Sequence, residues 1–206
     1  MLSTLVKISN VTNLSDARYC TGMGVEWLGF SVDEEDVNYV SPKNFREIKS
    51  WLAGVRMIAE TSKSTLEEIL KTIEDYEVDG IQVSVKVSAS ELSHVSGKNV
   101  FIRLDIDEYT PDDILAIMAD NPAEIYVLES STEQNLAEEW KQVIAYAGRT
   151  NKILLGFGLD DPDTIQSLLD SLELAGLALK GSEEIRPGFK DFGGLMDILE
   201  ALEEEN

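Results

Sequence analysis

Residues Thr4–Met23 read TLVKISNVTNLSDARYCTGM. The first six, Thr4–Ser9, form an apolar, β-branched run of strand length. Asn13 stands where a helix N-cap belongs, the helix runs over Asn13–Met23, and Gly24 supplies its stop. One strand followed by one helix in about twenty residues is the unit on which the whole chain is built.

Working outward, the unit recurs. Glu26–Val32 (EWLGFSV) is a second strand, and Ser41-Pro42 opens a helix through Trp51 with serine at the cap and proline in the first turn. Gly54–Ala59 is the third strand, followed by a helix from about Ser64 to Tyr76. Gly80–Val85 is the fourth, and Ser88–Val95 a short helix or turn. Asn99–Ile106 (NVFIRLDI) is the fifth, and Thr110-Pro111-Asp112-Asp113 starts its helix with acids that suit the dipole. Ala123–Leu128 and Glu133–Ala147, then Lys152–Phe157 and Pro162–Leu172, make the sixth and seventh pairs. Leu174–Lys180 (LAGLALK) and a helix over about Asp191–Glu203 complete an eighth. Strands alternating with helices imply parallel strands joined by right-handed crossovers. Eight such units predict an α/β fold, a (β/α)8 TIM barrel in one compact domain over residues 1–206. A doubly wound open sheet is the rival, because periodicity does not distinguish a closed sheet from an open one.

Composition narrows the function. The 206 residues carry 39 acids and 17 bases, a net charge of −22. Nucleic-acid binding needs basic patches, so the charge argues against that class, and no nucleic-acid partner is expected. No apolar run approaches the roughly 18–20 residues of a membrane span. The first ten residues lack the pattern of a signal peptide, so a cytoplasmic protein is expected. Cys20 is the only cysteine and His94 the only histidine, which leaves no disulfide, no cysteine zinc cluster and no multi-histidine metal site. Neither a metal nor a cofactor is expected. Cys20 sits in the first helix and reads as packing. Trp51, Trp140 and Tyr76 fall in outer helices and read as packing against the barrel, with a partner surface as the other use for them.

In such a barrel the active site lies at the C-terminal ends of the strands. Those ends carry Lys7 and Ser9, Glu60, Gln82 and Ser84, Arg103 and Asp105, Glu129, and Lys180. Alternation puts Lys7 with Ser9, and Arg103 with Asp105, on one face of their strands. If that face looks inward, cations and carboxylates meet at one mouth. Glu60, Asp105 and Glu129 would then form a carboxylate cluster able to do acid–base work or hold a divalent cation. The plainer expectation is that Lys7, Arg103 and Lys180 pair with them as a structural network. Gly156, Gly158, Gly181 and Ser182 follow strands seven and eight, where backbone N–H groups commonly hold a phosphate; tight turns use glycine equally well.

Several motifs together resemble phosphoribosylanthranilate isomerase, the (β/α)8 enzyme of tryptophan biosynthesis. The family's Lys-Ile-Cys-Gly-Ile/Val-Thr and Asn-Leu-Glu-Asp-Ala are similar to Lys7-Ile8-Ser9-Asn10-Val11-Thr12 and Asn13-Leu14-Ser15-Asp16-Ala17. Its Gly-Ala-Asp-x-Leu-Gly-Phe is similar to Gly24–Phe30, and its Ser-Pro-Arg-Tyr-Val-Ser-Pro to Asp36–Pro42. Its Asp-x-Val-Gln-Leu-His-Gly resembles Asp79–Val85, and its Pro-Gly-x-Lys-Asp resembles Pro187–Asp191. The resemblance implies an Amadori rearrangement of phosphoribosylanthranilate, with no cofactor. It places Ser9 where the family has its cysteine base and Glu129 where it has its aspartate acid. A thiol can supply thiolate near neutral pH, whereas a serine hydroxyl needs an activator.

The same alignment puts Asn38 at the family's substrate-holding arginine and Ser84 at its histidine. The segment Gly181–Pro187 is one residue longer than the family's, and Phe157-Gly158 replaces a Gly-Gly. Lys7, Asn38, Gln82, Ser84, Arg103 and Asp105 are thus the candidate substrate-binding residues; Gly156, Gly158, Gly181 and Ser182 are the phosphate-binding ones. The expected partner is a small molecule such as a sugar phosphate. Two further readings stand beside the isomerase: another small-molecule enzyme on the same barrel, and a non-catalytic barrel that binds a metabolite without turning it over.

Overall fold

A computed structural model describes residues 1–87, 89–95, 97–120, 125–159, 161–181, 184–186, 189–190 and 193–203. Its eight principal strands are β1 (Leu5–Ser9), β2 (Trp27–Ser31), β3 (Arg56–Glu60), β4 (Gly80–Ser84), β5 (Asn99–Asp105), β6 (Ile125–Glu129), β7 (Ile153–Leu155) and β8 (Gly176–Lys180). Each pairs in parallel with the next, and β8 pairs back onto β1, with Leu5 opposite Gly176 and Ser9 opposite Lys180. That last pairing closes the barrel and excludes the open sheet.

The helices between them are α1 (Leu14–Gly22), α2 (Pro42–Lys49), α3 (Leu66–Tyr76), α4 (Ala89–Leu92), α5 (Pro111–Asp120), α6 (Glu138–Ala147), α7 (Pro162–Ser171) and α8 (Gly193–Ala201). A small antiparallel pair, β9 (Glu184–Arg186) with β10 (Phe189–Lys190), stands between β8 and α8.

The helix starts follow local chemistry. Asn13 accepts from the Asp16 N–H at 3.0 Å, and Asp161 accepts from the Thr164 N–H at 3.0 Å. Thr110 and Asp113 form a reciprocal capping pair, Asp113 N–H to Thr110 Oγ1 at 3.3 Å and Thr110 N–H to Asp113 Oδ2 at 2.9 Å. Each satisfies N–H groups that a helix leaves unpaired in its first turn.

Period-two alternation sorts the strands into two cores. Outward residues such as Ile8, Leu28 and Ile81 pack under the helices. Phe30, Phe45 and Tyr76 stack edge to face there, with ring centroids 5.1 and 5.4 Å apart. Inward residues Trp27, Ile58, Phe101, Val127, Leu154 and Ala178 fill the lower barrel. Trp27 meets Phe101 edge on at 5.2 Å, and the Arg56 guanidinium lies 4.6 Å from the Trp27 ring centroid. Above this plug the inward positions turn polar, and there the mouth begins.

Three expectations are corrected. Helix α6 starts at Glu138 rather than Glu133, because the residues after β6 form a loop bonded to Asp107 in the neighbouring loop after β5. Trp140 and Tyr76 are buried as expected, but Trp51 is 70 % exposed, past the end of α2 where no helix covers it. Strand β8 begins at Gly176 rather than Leu174. Cys20 is fully buried, in keeping with a packing role.

Candidate active site

The strand ends enclose a cavity of about 420 Å³. Ser9 and Asn10 line it from β1, Ser31 and Asp33 from β2, Glu60 and Thr61 from β3, and Gln82 and Ser84 from β4. Arg103 comes from β5, Glu129 from β6 and Lys180 from β8. The volume is that of a small-metabolite site. Two polar atoms of this wall, Gln82 Oε1 and Ser84 Oγ, are buried without a hydrogen-bond partner among the described residues. A buried polar atom left unpaired costs free energy that a ligand can return.

Beneath the cavity lies a buried charge pair. Lys7 points inward from the middle of β1, between Trp27 and Ala178 in register, and its side chain is wholly buried. Its Nζ is ion-paired to Glu60 Oε1 and donates to Ser9 Oγ at 2.5 Å. Glu60 Oε2 also accepts from the Asn10 N–H at 3.3 Å. Gly29 makes the geometry possible: a Cβ there would stand 2.1 Å from Glu60 Oε1. A glycine inside a strand often marks such a close approach.

On the opposite wall Arg103 ties two acids together. Its Nε donates to Glu129 Oε2 at 2.7 Å, and its Nη2 to Asp105 Oδ2 at 3.1 Å. Burial alone would ease the proton off the guanidinium, but Glu129 and Asp105 outweigh it and hold Arg103 above its ordinary value. Glu60, Asp105 and Glu129 are therefore each paired with a cation, the network arrangement rather than a free carboxylate cluster. Lys180 is not part of it; it stands 3.9 Å from Glu133. Among the described residues no group of three or more acids, histidines or cysteines is arranged to hold a metal ion.

Two aspartates fasten the rim. Asp107 accepts from the Thr132 N–H at 2.9 Å, the Ser130 hydroxyl at 2.8 Å and the Thr132 hydroxyl at 2.8 Å, and also from Gln134 Nε2. These bonds, the Thr132 N–H foremost, hold its carboxyl well below the usual carboxylate range. Asp33 accepts from Thr61 Oγ1 at 2.6 Å and from the Ser62 N–H at 2.6 Å. Burial pushes Asp33 up, yet those bonds prevail and its pKa is lowered.

A second hollow of about 290 Å³ adjoins the first and shares Lys180 and Ser130 with it. Gly156, Phe157, Gly158 and Leu159 line one side, and Leu195 and Ile198 of α8 the other. The Gly156 N–H donates to Leu128 O and the Gly181 N–H to Ser9 O, both at 2.8 Å, so these two amides serve the barrel. Gly158 has φ +65°, and a Cβ on it would lie 2.8 Å from Leu136 Cβ.

The barrel thus brings Ser9, Gln82, Ser84, Arg103 and Glu129 to one cavity. Lys7 and Asp105 stand just behind its wall. Asn38 does not line it; its N–H donates to Asp36 Oδ1 at 2.7 Å, and Asp36 reaches the cavity instead. Gly181 lies outside both hollows, while Ser182 and residues 187, 188 and 191 of the last motif fall outside the described residues. Sequence reasoning missed Gly29, Asp33 and Asp107. Only Gly29 carried a signal, as a lone glycine within an apolar strand.

Comparison with known proteins follows the same line. No family model matches the chain. The N-(5′-phosphoribosyl)anthranilate isomerase of Thermotoga petrophila is 21 % identical over 202 residues, covering 94 % of this chain and 96 % of that protein. Among solved structures, phosphoribosyl anthranilate isomerase from Thermotoga maritima superposes with a TM-score of 0.81 at 20 % identity, covering 97 % of this chain and 98 % of that one. The Thermus thermophilus enzyme gives 0.77 at 21 %, covering 96 % and 98 %. Another such isomerase structure, with a TM-score of 0.79, holds reduced 1-(o-carboxyphenylamino)-1-deoxyribulose 5-phosphate. At this low identity the chain is similar to these isomerases over nearly their whole length, and it shares their barrel fold. No helix among the described residues is long and apolar enough to cross a membrane.

Proposed function

We propose that this phosphoribosylanthranilate isomerase-like barrel binds a phosphoribosyl-type metabolite at its strand mouth, with Ser9 and Glu129 in the places of the base and the acid. The observation that carries the reading is the convergence of Ser9, Gln82, Ser84, Arg103 and Glu129 on one cavity of about 420 Å³. Ser9, Gln82, Ser84 and Glu129 are positions that the motif resemblance matched, and all four line this cavity. Lys180, between the two hollows, is the cation placed for a phosphate, with Gly158 beside it.

The rearrangement needs a proton given to the ring oxygen and another taken from C2′. Glu129 faces the cavity from β6, held by Arg103. Ser9 faces it from β1, but its oxygen already accepts from the Lys7 ammonium. A serine so engaged is a poor proton acceptor, and turnover by this chain is correspondingly slow. That observation also favours the second reading, a barrel that binds the metabolite without converting it.

A coupled fluorescence assay with freshly generated phosphoribosylanthranilate separates the two. The wild type is run beside a Ser9→Cys, Glu129→Asp double variant. Restoring a thiolate base and a shorter acid raises kcat/KM by roughly 10²–10⁴, the usual worth of acid–base catalysis. Wild-type turnover that is lost in Glu129→Gln marks a working isomerase; a silent wild type with an active double variant marks the binding barrel. Silence in both overturns the phosphoribosyl ligand.

A further inference from the structure

The buried pair under the cavity floor has a use that the isomerase resemblance does not supply. A lysine ammonium has three donors and no acceptor. The bond between Lys7 Nζ and Ser9 Oγ at 2.5 Å therefore runs in one direction only, from nitrogen to oxygen. Among the described residues, Ser9 Oγ makes no other hydrogen bond, so its own hydrogen is free to turn into the cavity that Ser9 lines.

We propose that Lys7, held from below by Glu60, is the positioning residue of this mouth: it fixes the Ser9 hydroxyl as a hydrogen-bond donor toward an oxygen acceptor of the bound ligand. The proposal rests on the ligand reading above and gives its β1 wall a polarity. The ligand atom facing Ser9 is a carbonyl, hydroxyl, carboxylate or phosphate oxygen rather than an acidic C–H.

The surroundings agree. Lys7 lies below Ser9, and Lys180 of β8 is its register partner, so two cations flank it. On β2, Ser31 lines the same cavity and is uncharged. Glu60 of β3 is bound to Lys7, and across the cavity Glu129 is paired to Arg103. Gly29 leaves the space that lets Glu60 sit under Lys7, and a larger residue there would drive the carboxylate away.

The test replaces the hydroxyl by a group whose protonation can be read. In Ser9→Cys the thiol occupies the place that receives the Lys7 ammonium. Its alkylation by iodoacetamide is followed against pH, with wild type, whose only cysteine is buried, as the blank. A thiol beside a lysine titrates between about 3.5 and 7.5 instead of near 8.5. The expected midpoint falls in that range and rises by at least about one pH unit in a Lys7→Met, Glu60→Gln background.

That double change removes both charges together, and circular dichroism shows that the variant is folded. In parallel, Ser9→Ala weakens binding of reduced 1-(o-carboxyphenylamino)-1-deoxyribulose 5-phosphate about tenfold, the value of one hydrogen bond of this kind. A midpoint near 8.5 that does not move in the charge-free background overturns the role given to Lys7. Unchanged affinity in Ser9→Ala overturns the donor role. If wild type binds no analogue at all, the phosphoribosyl reading fails, while the thiol titration still decides what Lys7 does to position 9.

Discussion

Replacing Lys7 by methionine is the sharpest probe of how the mouth is held together. The side chain is fully buried and Glu60 is only 8 % exposed, so the substitution strands a carboxylate in a dry place. What remains to it among the described residues is the Asn10 N–H at 3.3 Å. Breaking a buried ion pair from one side costs about 3–5 kcal/mol, and the partial opening of Glu60 to the cavity argues for the lower end, about 3 kcal/mol. For a domain of this size that is a fall in Tm of roughly 6–12 °C. Removing both charges, in Lys7→Met with Glu60→Gln, leaves no stranded ion and recovers at least half the loss. Urea unfolding followed by circular dichroism, with equal slopes for all three proteins, measures it. The reasoning is refuted if the single variant loses less than about 1 kcal/mol, or if the double variant is no more stable than the single one.

Gly29→Ala destabilises the same pair without touching a charge, because its Cβ displaces the Glu60 carboxylate; loss of thermal stability that is largely absent in a Glu60→Gln background is the expected result. Gly158→Ala costs about 1–2 kcal/mol from the left-handed backbone alone, and more from contact with Leu136; thermal unfolding reads it. Asp107 has a folded-state pKa below its unfolded one near 3.9, so its stabilisation is present above that value and is lost as pH falls through the acid range. Asp107→Asn should therefore flatten the stability curve below about pH 4, seen in melts from pH 5 down to pH 2. Lys180→Met weakens a phosphorylated ligand more than its dephosphorylated counterpart, measured by calorimetry.

The eight units are legible because each is written locally. Asn13, Thr110 and Asp161 announce their helices by the bonds they make within four residues, and the strands by their apolar runs. Closure is not written locally, since it rests on Ser9 meeting Lys180 across the whole length of the chain. Alternation alone put Lys7 with Ser9 and Arg103 with Asp105 at one mouth. It gave no sign that Lys7 would reach Glu60 through the gap at Gly29, because that fit needs the register of three strands. Nor did it show that Asp107 would hold the loop after β6, a long-range bond set by two neighbouring loops. Trp51 was misplaced for a related reason: an aromatic at a helix end has no periodic partner to say whether anything covers it.

The most direct test of the ligand site is calorimetric titration with reduced 1-(o-carboxyphenylamino)-1-deoxyribulose 5-phosphate. The account predicts saturable binding at one site per chain, weakened at least tenfold by Arg103→Met and by Lys180→Met. Absence of binding, or binding that neither substitution disturbs, would contradict a phosphoribosyl site at the mouth of this barrel.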